Sequence, residues 1–368
     1  MPEDSLTPRV ERELLESLAA QRYRSSVARL AAHGNTLSPT HAGRLLDRAG
    51  RRLHERWFGP WCVHAGEVQT PELLIVEGDG ARYRTNEADC RKKGGRPRAA
   101  PKLPSGEEDR GWRENKIGLV SRALRGKTLA SGLYEGPTEL LKTYVATTSE
   151  LQDFERDLEI ELRRRGAQPI WEIVAVSDNG HGLPLMWERL FAALQSTLRR
   201  VTDFYHCAER LNACAQAIYG EAPAAQPRRR KWFYRLRQLL WDGRLPKILA
   251  TLRVAATSLA PETATPEELA TKPAAKTLWT NVHYFEKYGD TMDYPAYRAK
   301  GWPLGSGAVE SACGQMGDRV KHSRMRWTRQ NADALHIVKA AICSGDGRWE
   351  KLWPPPIPVL DFPVSLLN

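Results

Sequence analysis

The first seventy residues carry hydrophobic positions with a helical period. The Thr-Pro pair at 7–8 suits the cap and first position of a helix, and leucines follow at helical spacing. Two further periodic stretches flank a glycine-containing turn at 33–35, and the second begins at the Ser-Pro pair of 38–39. Helix, turn and helix in this order predict a helix-turn-helix, with Arg44 and Arg48 facing outward toward DNA. An ordinary helical hairpin fits the same pattern equally well.

Two short apolar runs further along predict buried strands, and each leads to an aspartate. The run at 73–76 precedes Asp79, and the run at 171–178 ends in Asp178. Two such strands side by side would bring both carboxylates to one edge of a sheet, as a two-metal site requires. Turns are the alternative, because Asp-Gly and Asp-Asn-Gly are strong turn signals. Glu77 competes with Asp79, since a regular strand points both side chains to the same side.

The other periodic segments complete an α/β pattern. Alternating residues predict strands near 116–124 and 144–147, and a helix follows at 148–165. A further strand at 201–206 leads into a helix. Residues 207–300 lack strand patterning, which predicts an all-helical insertion.

Composition is that of a globular protein of two or three domains. The chain has 368 residues, of which 41% are hydrophobic, and no apolar run is long enough to span a membrane. The N-terminus has no signal-peptide pattern. The six cysteines form no C-x-x-C pair, so reduced thiols in a cytoplasm are expected rather than a zinc ribbon. A net charge of +11 favours a nucleic-acid partner, although a merely basic soluble enzyme is as common.

Residues 301–327 combine a glycine-rich turn, an early carboxylate and a run of cations. Glu310 falls in the first turn of the predicted helix, where it would complement the helix dipole. A capping box would need Ser or Thr three residues earlier, but Gly307 stands there. A carboxylate on a bare helix face beside cations suits an acid that holds a metal next to a phosphate backbone. The basic positions predicted to contact DNA here are Arg319, Lys321, Arg324, Arg326 and Arg329.

A second basic segment lies inside the helical insertion. Arg228, Arg229, Arg230 and Lys231 precede an aromatic pair at 232–233. Cations interleaved with aromatic residues suit a surface that contacts DNA. An amphipathic helix with its tryptophan in the core would give the same pattern.

Two motifs carry a resemblance to a known family. They are Pro-Leu-Gly-Ser-Gly-Ala-Val-Glu-Ser-Ala-Cys at 303–313 and Arg-Val-Lys-His-Ser-Arg-Met-Arg-Trp at 319–327. Both resemble the C-terminal signature of bacterial insertion-sequence transposases of the ISKra branch, which are similar to the wider Mutator-like group. The resemblance extends over about 290–353 and includes Tyr294, Tyr297 and Arg298.

The resemblance implies an RNase H-like core with an Asp-Asp-Glu metal triad. Glu310 matches the glutamate of that triad, and Asp79 and Asp178 match its two aspartates. It also implies two bound Mg²⁺ or Mn²⁺ ions, for which carboxylate oxygens are the preferred ligands. The residues expected to support the site are Asp203 and His206, which belong to an Asp-Phe-Tyr-His motif.

The predicted function is that of a DDE transposase, which cleaves DNA and transfers the cut strand of an insertion sequence. Its partner would be double-stranded DNA, at the element ends and the target, bound by a homodimer or higher oligomer in the bacterial cytoplasm. A catalytically inactive or truncated transposase-derived DNA-binding protein is the alternative. The resembled family often carries N-terminal cysteine pairs, which this chain lacks. A nuclease of the same fold, without strand transfer, is a third interpretation.

The predicted fold class is α/β. It consists of an RNase H-like core with a mixed five-stranded sheet and flanking helices, an all-α insertion, and an N-terminal helix-turn-helix-like region. The predicted units are 1–70, N-terminal and helical; 71–206, the first part of the core; 207–300, the insertion; 301–353, the C-terminal part of the core; and 354–368, an extended tail.

Overall fold

The computed structural model describes residues 6–59, 73–84, 112–167, 172–180, 182–321 and 327–353. The strands in these ranges are β1 (Leu73–Arg84), β2 (Trp112–Leu124), β3 (Lys127–Thr128), β4 (Tyr134–Glu135), β5 (Thr138–Thr147), β6 (Ile173–Ser177) and β7 (Arg200–Thr202). The first five helices are α1 (Pro8–Ala20), α2 (Tyr23–Ala32), α3 (Pro39–Phe58), α4 (Leu151–Arg164) and α5 (Leu183–Ala193).

The later helices are α6 (Phe204–Tyr219), α7 (Gln226–Trp241), α8 (Leu245–Thr257), α9 (Pro266–Ala270), α10 (Pro273–Lys287), α11 (Tyr294–Lys300), α12 (Gly307–Lys321) and α13 (Arg329–Cys343). Short 3₁₀ helices occur at Pro223–Ala225, Gly289–Thr291 and Glu350–Leu352. None of the described helices is long and apolar enough to cross a membrane.

Five strands form one mixed sheet in the order β5-β2-β1-β6-β7. β1 runs antiparallel to β2 and β2 antiparallel to β5, whereas β1, β6 and β7 run parallel to one another. This order and these directions are those of an RNase H-like core, so the predicted fold class is confirmed. β3 and β4 form a separate two-stranded ladder.

The central strands are buried on both faces. On one face Val76 packs with Trp187 of α5 and with α4. On the other face Ile75 and Val176 pack against the insertion helices. A strand that is buried on both faces has a continuous run of apolar residues instead of alternating apolar and polar ones, which explains the sequence of 73–76.

The insertion helices pack against one face of the sheet. Residues 207–300, all of which the structure describes, contain helices and turns but no strand. Leu211 of α6, Leu252 of α8 and Phe285 of α10 share one hydrophobic cluster with Ile75 of the sheet. The insertion therefore covers the sheet face to which Ile75, Glu77 and Asp79 of β1 belong.

Helix α12 lies across β1 and β2. Val309 and Met316 pack on Ile117 and Leu119 of β2 in a small apolar cluster. Val309, Cys313, Met316 and Val320 follow one another at spacings of four, three and four, which predicts a shared helical face, and all four are buried. Docking of this face fixes the start of α12, and hence Glu310, over the sheet.

The N-terminal helices pack against the C-terminal helix. Leu14 of α1 and Leu46 of α3 share a core with Leu335 and Val338 of α13 and with Trp327. The hydroxyl of Ser38 accepts a hydrogen bond from the amide of His41 at 3.1 Å and so caps α3. These helices complete a hydrophobic core together with a segment from the far end of the sequence.

One predicted element has the wrong extent. The strand expected at 201–206 ends at Thr202, and helix α6 begins at Phe204. Asp203 causes the change, because its carboxylate accepts hydrogen bonds from the first-turn amides of Tyr205 and His206 and so acts as the N-cap. The predicted tail at 354–368 and two predicted DNA contacts, Arg324 and Arg326, lie outside the described residues.

Candidate active site

The parallel pairings align three aspartates in one row. Glu77 pairs with Val176, and Val176 pairs with Val201. Two residues further along each segment stand Asp79, Asp178 and Asp203, which we call the aspartate row. Because neighbouring strands lie about 4.8 Å apart, the backbones of the three acids lie side by side where β6 and β7 end and β1 continues.

The intervening positions confirm which face the row occupies. Gly78 is so close to Trp187 that an added Cβ would lie 3.0 Å from its ring. The Nε1 of Trp187 also donates to the Oγ of Ser177 at 3.2 Å. Gly78 and Ser177 therefore face α5, and the strand residues that alternate with them, Glu77, Asp79 and Val176, face the opposite way, toward α6 and α12.

Asp203 joins two helix starts. Its Oδ1 accepts from the amides of Tyr205 at 2.6 Å and His206 at 3.0 Å. Its Oδ2 accepts from the amide and hydroxyl of Ser306, at 2.6 and 2.5 Å, immediately before α12. Four donors occupy both oxygens of a side chain that is 1% exposed. Asp203 therefore fixes the glycine-rich turn against the start of α6.

Glu310 lies in the first turn of α12, within electrostatic reach of Asp79 and Asp203. Its Oε1 lies 3.4 Å from the hydroxyl of Ser306. Partial burial raises the pKa of Glu310, and the negative charges of Asp203 and Asp79 raise it further. The glutamate and the first aspartate predicted from sequence are thus within electrostatic reach of each other.

Glu77, the competitor of Asp79, has a different position. It is 3% exposed, and its Oε2 accepts a hydrogen bond from the amide of Val309 at 2.8 Å. Burial raises its pKa to about 8, even though this hydrogen bond acts in the opposite direction. Glu77 anchors the first turn of α12 to β1, whereas Asp79 is only half-buried at the sheet edge. No sequence pattern indicates this anchoring role beyond the presence of an acid two residues before Asp79.

Asp178 lies in a tight turn that the insertion holds in place. Its Oδ1 accepts from the amide of Gly180 at 2.7 Å, and Asn179 adopts a left-handed conformation with φ of 61°. The hydroxyl of Tyr284, on α10, donates to the backbone carbonyl of Asp178 at 3.0 Å. Asn179 also donates to the hydroxyl of Thr202 at 2.7 Å.

His206 belongs to a chain of contacts that ends at this turn. The Nε of Arg210 lies 3.0 Å from the Nε2 of His206, and its guanidinium sits 3.7 Å from the ring centre of Tyr284. Burial raises the pKa of Tyr284 far above its usual range, so the phenol remains a hydrogen-bond donor. Tyr284 and Arg210 were not predicted from the sequence, because no local pattern links them to the acids.

The donor set suits a hard divalent cation, although the side chains do not converge. Asp79, Asp178 and Glu310 offer the carboxylate oxygens that Mg²⁺ and Mn²⁺ prefer. The charge repulsion that helps to raise the pKa of Glu310 is of the kind that a cation between the acids would relieve. Among the described residues, however, no group of three or more His, Cys, Asp or Glu side chains is close enough to hold a metal as placed.

The residues predicted to contact DNA differ in how exposed they are. Arg44 and Arg48 are exposed on α3. Arg329 is exposed and pairs with Glu150 at 2.9 Å. Arg228, Arg230 and Lys231 are exposed on α7, whereas Arg229 is half-buried and donates to the carbonyl of Gly220 at 2.9 Å. The backbone of Lys321 ends α12, and its side chain is outside the described part.

Arg319 is a correction to the sequence prediction. Only 4% of it is exposed, and its Nε donates to the carbonyl of Leu18 at 3.0 Å. The guanidinium lies 4.7 Å from the ring centre of Trp327 and 5.7 Å from that of Tyr23. Burial lowers the pKa of Arg319 to about 10. This arginine therefore joins α12 to α1 and α2 instead of facing DNA.

Comparison with known proteins adds one likeness. No protein-family model matches the chain, and no curated protein matches its sequence. The structure is similar to the Drosophila P element transposase strand transfer complex, with 11% sequence identity and a TM-score of 0.38 over 94% of this chain and 93% of that chain. At that identity and TM-score, the likeness supports no inference about the activity of this protein.

Proposed function

We propose that the protein is a DDE-type DNA transposase, which cleaves DNA and transfers the cut strand by metal-dependent phosphoryl transfer. One observation carries the proposal. Asp79 lies on β1, Asp178 directly follows the neighbouring parallel strand β6, and Glu310 in the first turn of α12 lies within electrostatic reach of Asp79. Acids far apart in sequence that meet at the edge of an RNase H-like sheet suit this chemistry.

Asp79, Asp178 and Glu310 would hold two Mg²⁺ or Mn²⁺ ions. Bound ions of this kind activate an attacking hydroxyl and stabilise the leaving oxygen of a phosphodiester. The protein's own contribution is to orient the acids. Glu77 and Asp203 fix the first turn of α12, which keeps Glu310 opposite the other two carboxylates.

The exposed cations on α3 and α7 support double-stranded DNA as the partner. Arg44 and Arg48 lie on one of these helices, and Arg228, Arg230 and Lys231 lie on the other. Contacts of this type bind phosphates and weaken as salt rises. The proposal includes a homodimer or higher oligomer that pairs two element ends in the bacterial cytoplasm.

Plasmid nicking tests the proposal. Native protein with Mn²⁺ is expected to nick supercoiled DNA, and Asp79→Asn or Asp178→Asn is expected to reduce nicking to background while DNA binding survives. Glu267→Gln, an exposed carboxylate on α9, is the matched control and should retain native nicking. Strand transfer is then measured with a labelled 3′-hydroxyl oligonucleotide and the same plasmid. Loss of DNA binding together with nicking in Asp178→Asn would count against the assignment.

A DNA-binding protein without catalysis is the second candidate. It is favoured by the finding that the described His, Cys, Asp and Glu side chains do not converge as a metal site. Thermal unfolding with and without Mn²⁺ separates the two functions. If the ion raises the melting temperature of the native protein but not of Asp178→Asn, the site binds metal. If Mn²⁺ changes the melting temperature of neither protein, the DNA-binding protein without catalysis is the better interpretation.

A further inference from the structure

Two tyrosines have exposed rings. Tyr205 is 61% exposed and Tyr234 is 52% exposed. Every other Phe, Tyr and Trp whose exposure the structure describes is buried or half-buried. Tyr205 lies in the first turn of α6 and Tyr234 lies on α7, yet both line one groove of about 400 Å³. Two aromatic rings left in water in one concave surface indicate a binding site.

We call this surface the tyrosine groove, and it opens beside the proposed active site. The amide of Tyr205 donates to the Oδ1 of Asp203, the same carboxylate that holds the start of α12. Glu209 also lines the groove. Burial and the charges of Asp203 and Asp79 are the larger causes of the raised pKa of Glu310, and the charge of Glu209 adds to them. The wall of the groove is therefore within electrostatic reach of Glu310.

Gly305 fixes the position of the first ring. A Cβ at Gly305 would lie 2.7 Å from the Cδ2 of Tyr205, so the ring lies directly against the backbone of the glycine-rich turn. Any other residue at this position would push the ring away. The edge of the ring formed by Cδ2 and Cε2 lies against the turn, and more than half of the residue remains exposed.

Cations surround the aromatic surface. Arg229 and Arg230 line the groove together with Phe233, and the guanidinium of Arg230 lies 5.9 Å from the ring centre of Tyr234. Arg228 is exposed on the same helix, one residue before Arg229. Aromatic rings stack on the bases of DNA of any sequence, and arginines bind the adjoining phosphates. The tyrosine rings therefore suit the base of a nucleotide, and the arginines suit its phosphate.

We infer that the tyrosine groove binds an unpaired nucleotide of the DNA next to the position of strand cleavage. Its base stacks on Tyr205 and Tyr234, and its phosphate is bound by Arg229 and Arg230. Duplex DNA cannot occupy the groove in this way, because paired bases are stacked on each other and must leave the helix to reach a side chain. The inference rests on the proposed function and specifies how DNA is held at that site.

The test compares three DNA probes of mixed sequence in EDTA, so that no cleavage occurs. They are a blunt duplex, the same duplex with a single-stranded overhang, and the single strand alone. A 2-aminopurine in the overhang reports base stacking through loss of its fluorescence. The full-length protein is measured beside Tyr205→Ala and Tyr234→Ala, with Tyr205→Phe and Tyr234→Phe as matched controls that keep the ring.

The native protein is expected to favour the overhang over the blunt duplex and to quench the 2-aminopurine. Each alanine variant should lose about ten-fold in affinity for the overhang and most of the quenching, while its affinity for the blunt duplex stays within about two-fold. Each phenylalanine variant should behave as the native protein does. Tyr234→Ala keeps the test valid if Tyr205→Ala fails to fold, because Tyr234 lies on α7, whereas the ring of Tyr205 packs against the glycine-rich turn at Gly305.

Equal binding of blunt and overhanging DNA by the native protein would overturn the inference, as would equal losses in the alanine and phenylalanine variants. Failure of the proposed function gives a different result. If the overhang preference depends on the tyrosines but Mn²⁺ yields no nicking, the groove stands and the catalytic proposal fails. If the native protein binds none of the three probes, both fail together.

Discussion

The hydroxyl of Tyr284 donates a hydrogen bond to the backbone carbonyl of Asp178, with 3.0 Å between the two oxygens. Tyr284 belongs to α10 of the insertion, and Asp178 follows β6 of the sheet. The insertion thus holds the turn that carries one of the proposed metal ligands. The guanidinium of Arg210 on the ring of Tyr284 fixes the phenol in this position.

Tyr284→Phe is expected to slow plasmid nicking about five-fold, because one hydrogen bond of about 1 kcal/mol no longer fixes the Asp178 turn. The Mn²⁺ concentration that nicking requires should rise at the same time. Nicking rates measured over a series of Mn²⁺ concentrations check both effects. Tyr288→Phe, which removes a hydroxyl just past the end of the same helix, is the control and should nick as the native protein does. Native behaviour of both variants would show that the hydrogen bond does not position Asp178.

Two glycines on α3 should respond in opposite ways to the same substitution. A Cβ at Gly50 would lie 2.6 Å from the Cα of Ala334 in α13, so Gly50→Ala forces two helix backbones apart. We expect a loss of about 1–3 kcal/mol in the free energy of unfolding.

Gly43→Ala is the matched control for this prediction. Its Cβ would meet the side-chain amide of Asn331 at 3.2 Å, and that side chain can move. Ala is favoured over Gly within a helix by up to about 1 kcal/mol, so this variant should be as stable as the native protein or more stable. Urea unfolding of both variants measures the difference. Equal destabilisation would mean that the close packing of α3 on α13 is not required.

A buried carboxylate joins α4 to the segment after α13. Glu161 is fully buried, and its oxygens lie 2.6 Å from Arg164, 3.0 Å from Arg165 and 2.7 Å from Arg348. Glu161→Gln removes the negative charge but leaves the guanidinium groups buried, so we expect a loss of about 3–5 kcal/mol in the free energy of unfolding. Glu159→Gln, which removes a partly exposed pair with Arg163, should cost less than about 1 kcal/mol. Chemical unfolding that gives similar values for both would contradict the prediction.

The same cluster predicts a loss of stability in acid. Burial alone would raise the pKa of Asp346, but the hydrogen bonds and charge of Arg348 and the charge of Arg165 outweigh it and lower the pKa to about 2. A carboxylate with a lowered pKa stabilises the fold above its unfolded pKa, near 3.8, and this contribution disappears as pH falls through about 2. Melting temperatures of the native protein should therefore fall over this window more steeply than those of Asp346→Asn. Parallel curves would rule out this contribution.

Local sequence patterns predicted much of the sheet. Apolar runs before Asp79 and Asp178 were sufficient to indicate buried strands, and the spacing of α12 was sufficient to indicate its buried face. The end of β7 was predicted wrongly, because the side chain of Asp203 competes with the strand by capping a helix. The roles assigned to Asp79, Asp178 and Glu310 stay predictions until their carboxylates are tested.

The remaining errors concern partners that are distant in the chain. Arg319 was predicted to bind DNA because it belongs to a basic run, but its environment is set by Tyr23 and Trp327, and Tyr23 comes from near the N-terminus. Glu77 anchors an amide that is 232 residues away. A periodicity or motif read along the chain contains no information on such pairs, since only the folded sheet brings them together.

The packing of α1 and α3 on α13 has a consequence for biosynthesis. The side chain of Arg319 bonds to the carbonyl of Leu18, 301 residues earlier, and Trp327 and α13 complete the hydrophobic cluster around the first three helices. A ribosome makes those helices roughly 300 residues before their packing partner. The apolar faces of Leu14 and Leu46 must therefore stay exposed, or be covered by a chaperone, until α13 has emerged.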